Sequence, residues 1–277
     1  MKTFSLFPSP RFGSRLRQYV GLLAAAILLP TLAAAAGGTQ EYVALGDSQA
    51  SGNGTGNPNL NFFCYRSSDA YAPIVASQRV NTTLKFVACQ RATTDNVISS
   101  QVQALGAGTS FVTMHIGGND VGFANLIYNC ANSWDEAKCL ATVDQVNNNI
   151  NTQLPAKLDK TYGAIKARVT RNTIIMHVGY PRFFGSNIAC RQANGISRNE
   201  AYALNLLADN LDRVIGERAA LAGVTHISVI QPFTGHDMCA AVPYVNGKFA
   251  PSAADIYHPT KAGYRNGYAP LIRAVIG

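Results

Sequence analysis

Ser48, in the run Ala44-Leu-Gly-Asp-Ser-Gln-Ala-Ser-Gly52, is the residue best suited to chemistry in this chain of 277 residues. A short apolar stretch, Tyr42-Val-Ala-Leu45, precedes it, and the glycine-laden Gly52-Asn-Gly-Thr-Gly56 follows. Gly, Asp and Ser also form ordinary turns, so this segment alone does not separate a nucleophile from a strand-to-helix connection. A hydroxyl needs a base to attack. Asp255-Ile-Tyr-His258-Pro259 supplies the best candidate. Pro259 keeps His258 out of helical geometry and itself suits the first turn of a following helix. Asp255, three residues back, is expected to reach the imidazole, fix its tautomer and stabilise the imidazolium. His236, close to Cys239, is a weaker competitor; His115, His177 and His226 sit in or beside apolar runs and read as core histidines. Acyl transfer also needs donors aimed at a developing oxyanion. Asn119, in Gly117-Gly-Asn-Asp120, offers a side-chain amide, and the two glycines let the backbone come close.

These groups are useful only if the fold gathers them. Five apolar runs recur, at Tyr42–Leu45, Leu84–Ala88, Phe111–Ile116, Thr173–Val178 and His226–Ile230. Their continuous rather than alternating hydrophobicity predicts strands buried on both faces, as in a parallel sheet. Helix-like stretches lie between them, near 67–80, 95–105, 133–168 and 196–222, with a last one near 260–275. The alternation predicts one three-layer α/β/α domain around a five-stranded parallel sheet. Ligands bind beyond the carboxyl ends of such strands. There the sequence places Gly46-Asp-Ser48, Cys89-Gln-Arg-Ala-Thr93, Gly117-Gly-Asn-Asp120 and Gly179-Tyr-Pro-Arg182. Residues 53–61 and 240–252 are expected to be mobile loops.

Residues 1–36 read as a signal peptide: a basic leader, an apolar core interrupted by Pro30, and an alanine-rich exit. The expectation is an exported, extracellular chain with residues 37–277 as its one domain and no stable membrane insertion. Loss of the leader removes four of the 23 basic residues and none of the 15 acidic ones, lowering the formal charge from +8 to +4. That balance argues against nucleic acid as a partner. The six cysteines, Cys64, Cys89, Cys130, Cys139, Cys190 and Cys239, favour three disulfides in an exported chain. Short loops favour 64–89, 130–139 and 190–239, although spacing alone leaves other pairings open. A zinc site is the rival, disfavoured by the lack of C-x-x-C and H-E-x-x-H, so no metal or cofactor is expected. Two sequons, Asn53-Gly-Thr55 and Asn81-Thr-Thr83, are potential glycosylation acceptors.

In order along the chain, Gly46-Asp-Ser48 with Ser51-Gly52, Gly117-Gly-Asn-Asp120 and Asp255-Ile-Tyr-His258-Pro259 resemble three blocks of the SGNH hydrolases, or GDSL lipases/esterases. The cysteine layout looks most like the family's secreted microbial branch, with three sequential disulfides. The resemblance implies a flavodoxin-like fold, Ser48 as nucleophile, His258 as base and Asp255 as its orienting acid. It also implies an oxyanion hole of the Ser48 amide, the Asn119 side chain and the amide of a second-block residue. That residue is Arg91, where related enzymes carry glycine. Implied substrates are small-molecule or lipid acyl esters, with phospholipids or acetylated polysaccharides as alternatives; a monomer is expected, although the sequence does not fix the oligomeric state. Phe123, Leu126, Ile127, Tyr180, Phe183 and Phe184 are candidates for an acyl pocket, part of them belonging to the core. Two other classes remain in view. One is a phosphate cradle at Gly46–Gly56, which lacks the P-loop lysine. The other is a non-catalytic carbohydrate- or surface-binding protein on the same scaffold.

Overall fold

A computed structural model describes residues 38–133 and 135–277; the proposed signal peptide lies outside the described residues. The chain runs through β1 (Gln40–Gly46), α1 (Ser48–Ser51), α2 (Tyr71–Ser77), β2 (Thr82–Phe86), α3 (Thr94–Ser99) and β3 (Thr109–His115). It continues through α4 (Gly118–Val121), α5 (Phe123–Ser133), α6 (Glu136–Thr152), α7 (Leu154–Lys166), β4 (Ile174–Val178) and α8 (Arg198–Ala222). The last elements are β5 (Thr225–Ile227), α9 (Ile230–Phe233), a π-helical turn (Gly263–Tyr268) and α10 (Ala269–Ile276).

The five strands form one parallel sheet in the order β2-β1-β3-β4-β5. Tyr42, Val43, Ala44 and Leu45 are all fully buried, as a strand covered on both faces requires. From β1 the chain steps outward to β2, then returns to the other side of β1 as β3. The strand order therefore reverses between β1 and β3, and a crevice opens beyond their carboxyl ends. On one side α2 packs on β2 and on α10; α3, α7, α8 and α6 form a second connected group.

The expected elements differ from the observed ones where local chemistry intervenes. The single helix expected over 133–168 is two, because Pro155 occupies the first turn of α7 and cannot continue α6. A helix over Phe123–Ser133 was not expected; its start is hidden among the glycines that precede it. The fifth strand stops at Ile227 rather than Ile230, which opens α9. By contrast α8 follows its sequence signals. Ser197 and Glu200 form a reciprocal capping box, and Gly223 ends the helix at φ +66°. Residues 53–56, expected to be loose, are largely buried and pinned by hydrogen bonds from Asn53, Gly54 and Thr55. The disulfides are 64–89, 130–139 and 190–239, the short-loop pairing.

One glycine decides how β1 ends. Gly46 sits at φ +129°, and the Gln101 side chain closes a pair of hydrogen bonds on it, accepting from its N–H at 2.7 Å and donating to its carbonyl at 2.9 Å. A Cβ here would collide with the His115 carbonyl and lie 2.9 Å from both the His115 nitrogen and Ala50 Cβ. Gly46→Ala is therefore expected to lower unfolding free energy by at least about 2 kcal/mol. Guanidinium titration of the purified protein checks this; an unchanged midpoint would refute the tight elbow.

Candidate active site

Asp47 turns the end of β1 into the start of a helix. It is the N-cap of α1 and accepts the Gln49 N–H at 3.0 Å, which leaves Ser48 as the first helical residue with its side chain half-exposed. The Asp47 carboxylate also accepts the Tyr180 O–H at 2.6 Å, and Tyr180 oxygen accepts the Gly118 N–H at 2.8 Å. A relay thus ties the β1 elbow to the turn after β3. Burial pushes Asp47 up to about 7, against the opposing hydrogen bonds from Tyr180 and the backbone.

His258 arrives from the last connection. Its Nε2 lies 2.8 Å from Ser48 Oγ, and its Nδ1 lies 2.8 Å from the Ile256 carbonyl oxygen. A carbonyl can only accept, so Nδ1 carries the proton and Nε2 is free to accept from the serine hydroxyl. Burial lowers the His258 pKa below its ordinary value, more than the Ile256 bond and the Asp255 charge raise it.

Asp255 was expected from its spacing to hold the imidazole, but the Ile256 carbonyl takes that place. The fully buried Asp255 carboxylate accepts from Gly54 N at 2.7 Å, Gly56 N at 3.2 Å, the Tyr65 hydroxyl at 2.7 Å and the Ser252 hydroxyl at 2.6 Å. Its acceptor sites are taken, and the main-chain oxygen two residues before His258 is nearer to the ring. Burial would raise the Asp255 pKa, but these four donors together hold it below the usual value. Asp255 is an anchor that pins the Ser48 loop to the His258 loop.

Asn119 projects from α4 into the same crevice and donates one amide hydrogen to the Ala92 carbonyl at 2.9 Å, leaving the other free to point at a ligand. Asp120 beside it accepts Thr94 Oγ1 at 2.7 Å and Thr94 N at 3.0 Å, fixing the loop that carries Arg91. Arg91 sits at φ +65°, the left-handed region that glycine enters without strain. An arginine here thus adopts a backbone shape that a glycine, implied at this position by the family resemblance, would take without strain. The N–H groups of Ser48 and Arg91 meet no acceptor among the described residues.

These residues line a cleft of about 1200 Å³, together with Phe123, Ile127, Tyr180 and Phe183. Leu126 and Phe184, also expected there, are core side chains outside the cleft lining. Tyr180 does double duty, since its hydroxyl is committed to Asp47. His236 stacks on Tyr244 and bonds the Val242 carbonyl, away from Ser48. His115 and His177 are fully buried, and half-buried His226 pairs with Asp212 at 3.0 Å. Asn53 is buried, whereas Asn81 is exposed. The sequence reading missed the Ile256 carbonyl, the Tyr65 and Ser252 donors and the Tyr180 relay. A main-chain oxygen leaves no sequence signal, Tyr65 and Tyr180 lie far along the chain from the residues they serve, and Ser252, three residues before Asp255, stands outside the Asp255–Pro259 motif.

A five-stranded parallel sheet with a serine, a histidine and an asparagine gathered at its switch point defines the class of GDSL-type ester hydrolases. The chain belongs to the GDSL-like lipase/acylhydrolase family, matching it over residues 44–265, and is an ester hydrolase. A lipase from Streptomyces rimosus is 36% identical over 235 residues, covering 84% of this chain and 86% of that protein. The crystal structure of an extracellular lipase from the same species superposes with a TM-score of 0.80 at 34% identity, covering 85% of this chain and 99% of the other. That of phospholipase A1 from Streptomyces albidoflavus gives 0.80 at 35% identity, with the same coverage.

If Asp255 anchors rather than orients, Asp255→Asn is expected to lower kcat/KM less than about tenfold, against ~10⁴ in kcat for a triad aspartate that holds its histidine. Steady-state kinetics on a soluble ester decide between the two; a loss near the larger figure would restore Asp255 to the imidazole.

Proposed function

We propose that the protein hydrolyses acyl esters of lipids through an acyl-enzyme on Ser48, with His258 as its general base. The observation that carries this reading is the 2.8 Å contact between His258 Nε2 and Ser48 Oγ, with the opposite ring nitrogen committed to the Ile256 carbonyl. Ser48 attacks the ester carbonyl carbon as His258 takes its proton. The tetrahedral oxyanion is held by the Ser48 and Arg91 N–H groups and the free Asn119 amide hydrogen. His258 returns the proton to the leaving alkoxide. Water, deprotonated by the same nitrogen, then attacks the acyl carbon and releases the acid and free Ser48.

Phe123, Ile127 and Phe183 line the cleft beside the nucleophile, which suits a hydrocarbon acyl chain better than a hydrated polysaccharide. Export, with residues 1–36 as the signal peptide, belongs to the same reading. It is supported by three disulfides and by the absence, among the described residues, of a helix long and apolar enough to cross a membrane.

Two measurements test the mechanism. On p-nitrophenyl esters from acetyl to palmitoyl, Ser48→Ala is expected to lose roughly 10³-fold or more of kcat, and Asn119→Ala about 10²–10³-fold; retention of rate by Ser48→Ala would overturn the serine route. The pH profile of kcat/KM follows from the sign of the His258 shift. Nε2 must be unprotonated to accept, and a lowered pKa keeps it so to lower pH. The rate is therefore full above the ordinary imidazole value and lost only as pH falls through a midpoint below 6.5. A midpoint above that value would contradict burial as the dominant influence on His258.

A further inference from the structure

Phe62 and Phe63 are 74% and 86% exposed, and Leu60 beside them is 54% exposed. Other large exposed apolar side chains, such as Val80, Leu221 and the pair Tyr202 and Leu206 one turn apart on α8, do not line the cleft. These three fall within four positions, the two phenylalanine rings touch edge to face at 6.2 Å, and Phe62 lines the cleft that holds Ser48. Single exposed hydrophobic residues are ordinary, but a cluster at the mouth of a binding cleft is not.

The tip is held rigidly. The Cys64–Cys89 disulfide joins it to the loop of Arg91, Gln90 N donates to the Cys64 carbonyl at 3.0 Å, and Gln90 Nε2 donates to the Phe63 carbonyl at 2.8 Å. Cys64 N in turn donates to Asn61 Oδ1 at 2.8 Å. The bracing fixes exposed aromatics next to exposed Arg91, whose guanidinium forms no ion pair among the described residues. Residues 56–68 and 86–94 contain no acidic side chain. The two buried carboxylates of the cleft, Asp47 and Asp255, are occupied by internal donors.

We propose that Leu60, Phe62, Phe63 and Arg91 form a docking surface for a phospholipid layer, the rings entering the acyl region while the guanidinium meets headgroup phosphate. The proposal rests on the ester-hydrolase reading and names the phase in which its substrate is met. Continuity with the cleft carries it: a lipid lifted from the layer at Phe62 is already at the entrance to Ser48. Affinity for such a layer grows with buried apolar area and with attraction between cations and anionic headgroups.

The test uses binding without turnover. The full mature chain carrying Ser48→Ala is mixed with vesicles of phosphatidylcholine and phosphatidylglycerol and pelleted. Adding Phe62→Ser and Phe63→Ser is expected to weaken partitioning by about tenfold or more. Arg91→Gln is expected to weaken it on these vesicles and much less on a triolein emulsion. Tyr202→Ser, which removes an exposed ring outside the cleft lining, serves as the control and is expected to change nothing. Thermal melts confirm that each variant is folded. The proposal is overturned if the parent does not pellet, if the double variant pellets as well as the parent, or if Tyr202→Ser matches its loss. Equal loss by Arg91→Gln on triolein overturns the phospholipid assignment. Dissociation of a dimer by the double variant, without vesicle binding by the parent, would assign the surface to a second copy. Because Ser48→Ala is present throughout, failure of the serine mechanism would appear only in the soluble-ester kinetics, not here.

Discussion

The proposed chemistry depends on one contact, 2.8 Å long, between side chains 210 positions apart in the chain. Nothing local can hold Ser48 against His258. The parallel sheet brings their loops to the same rim, and a set of buried polar bonds sets the final geometry. Asp47 fixes the helix start that presents Ser48, and Tyr180 ties that start to the turn after β3. Asp255 draws the amides of Gly54 and Gly56 against the histidine loop. Asn246 adds bonds to the carbonyls of Gly54 and His258 at 2.9 and 3.1 Å. Gly54 has room for neither a Cβ nor a shift, because the backbone of His258 and Pro259 packs directly on it.

The orienting group is a main-chain carbonyl rather than a carboxylate, and this has an electrostatic consequence. A carbonyl fixes the tautomer of the imidazole as well as a carboxylate does, but it lends less support to the imidazolium formed during reaction. The negative charge of Asp255 still acts on the ring and raises its pKa, yet burial outweighs it and leaves the His258 pKa below its ordinary value. In the proposed mechanism the base stays unprotonated to lower pH while being intrinsically weaker than one paired with an acid. The two carboxylates lining the cleft, Asp47 and Asp255, serve the backbone and the tyrosine and serine hydroxyls instead.

The sheet, its five strands and the gathering of Ser48, His258 and Asn119 at its rim were legible because each follows from local chemistry. Apolar runs mark buried strands, and glycine-bracketed polar residues mark their carboxyl ends. The disulfides follow the short-loop preference, which favoured this pattern without excluding others. What was not legible lies in directions rather than identities. The spacing of Asp255 and His258 permits either a carboxylate or the Ile256 carbonyl to meet Nδ1, and only the competition of four other donors for the carboxylate decides. Likewise Tyr180 looked like a cleft wall, and its hydroxyl proved to be a structural link. Arg91 looked like a departure from pattern; its backbone nonetheless takes the left-handed conformation that suits glycine.

The most direct test is a crystal structure of the protein inactivated with diethyl p-nitrophenyl phosphate. The account predicts phosphorus on Ser48 Oγ, one phosphoryl oxygen within hydrogen-bond reach of the Ser48 and Arg91 N–H groups and Asn119 Nδ2, and His258 Nδ1 still on the Ile256 carbonyl. An adduct on another residue, or an Asp255 carboxylate that has turned to bind the imidazole, would contradict it.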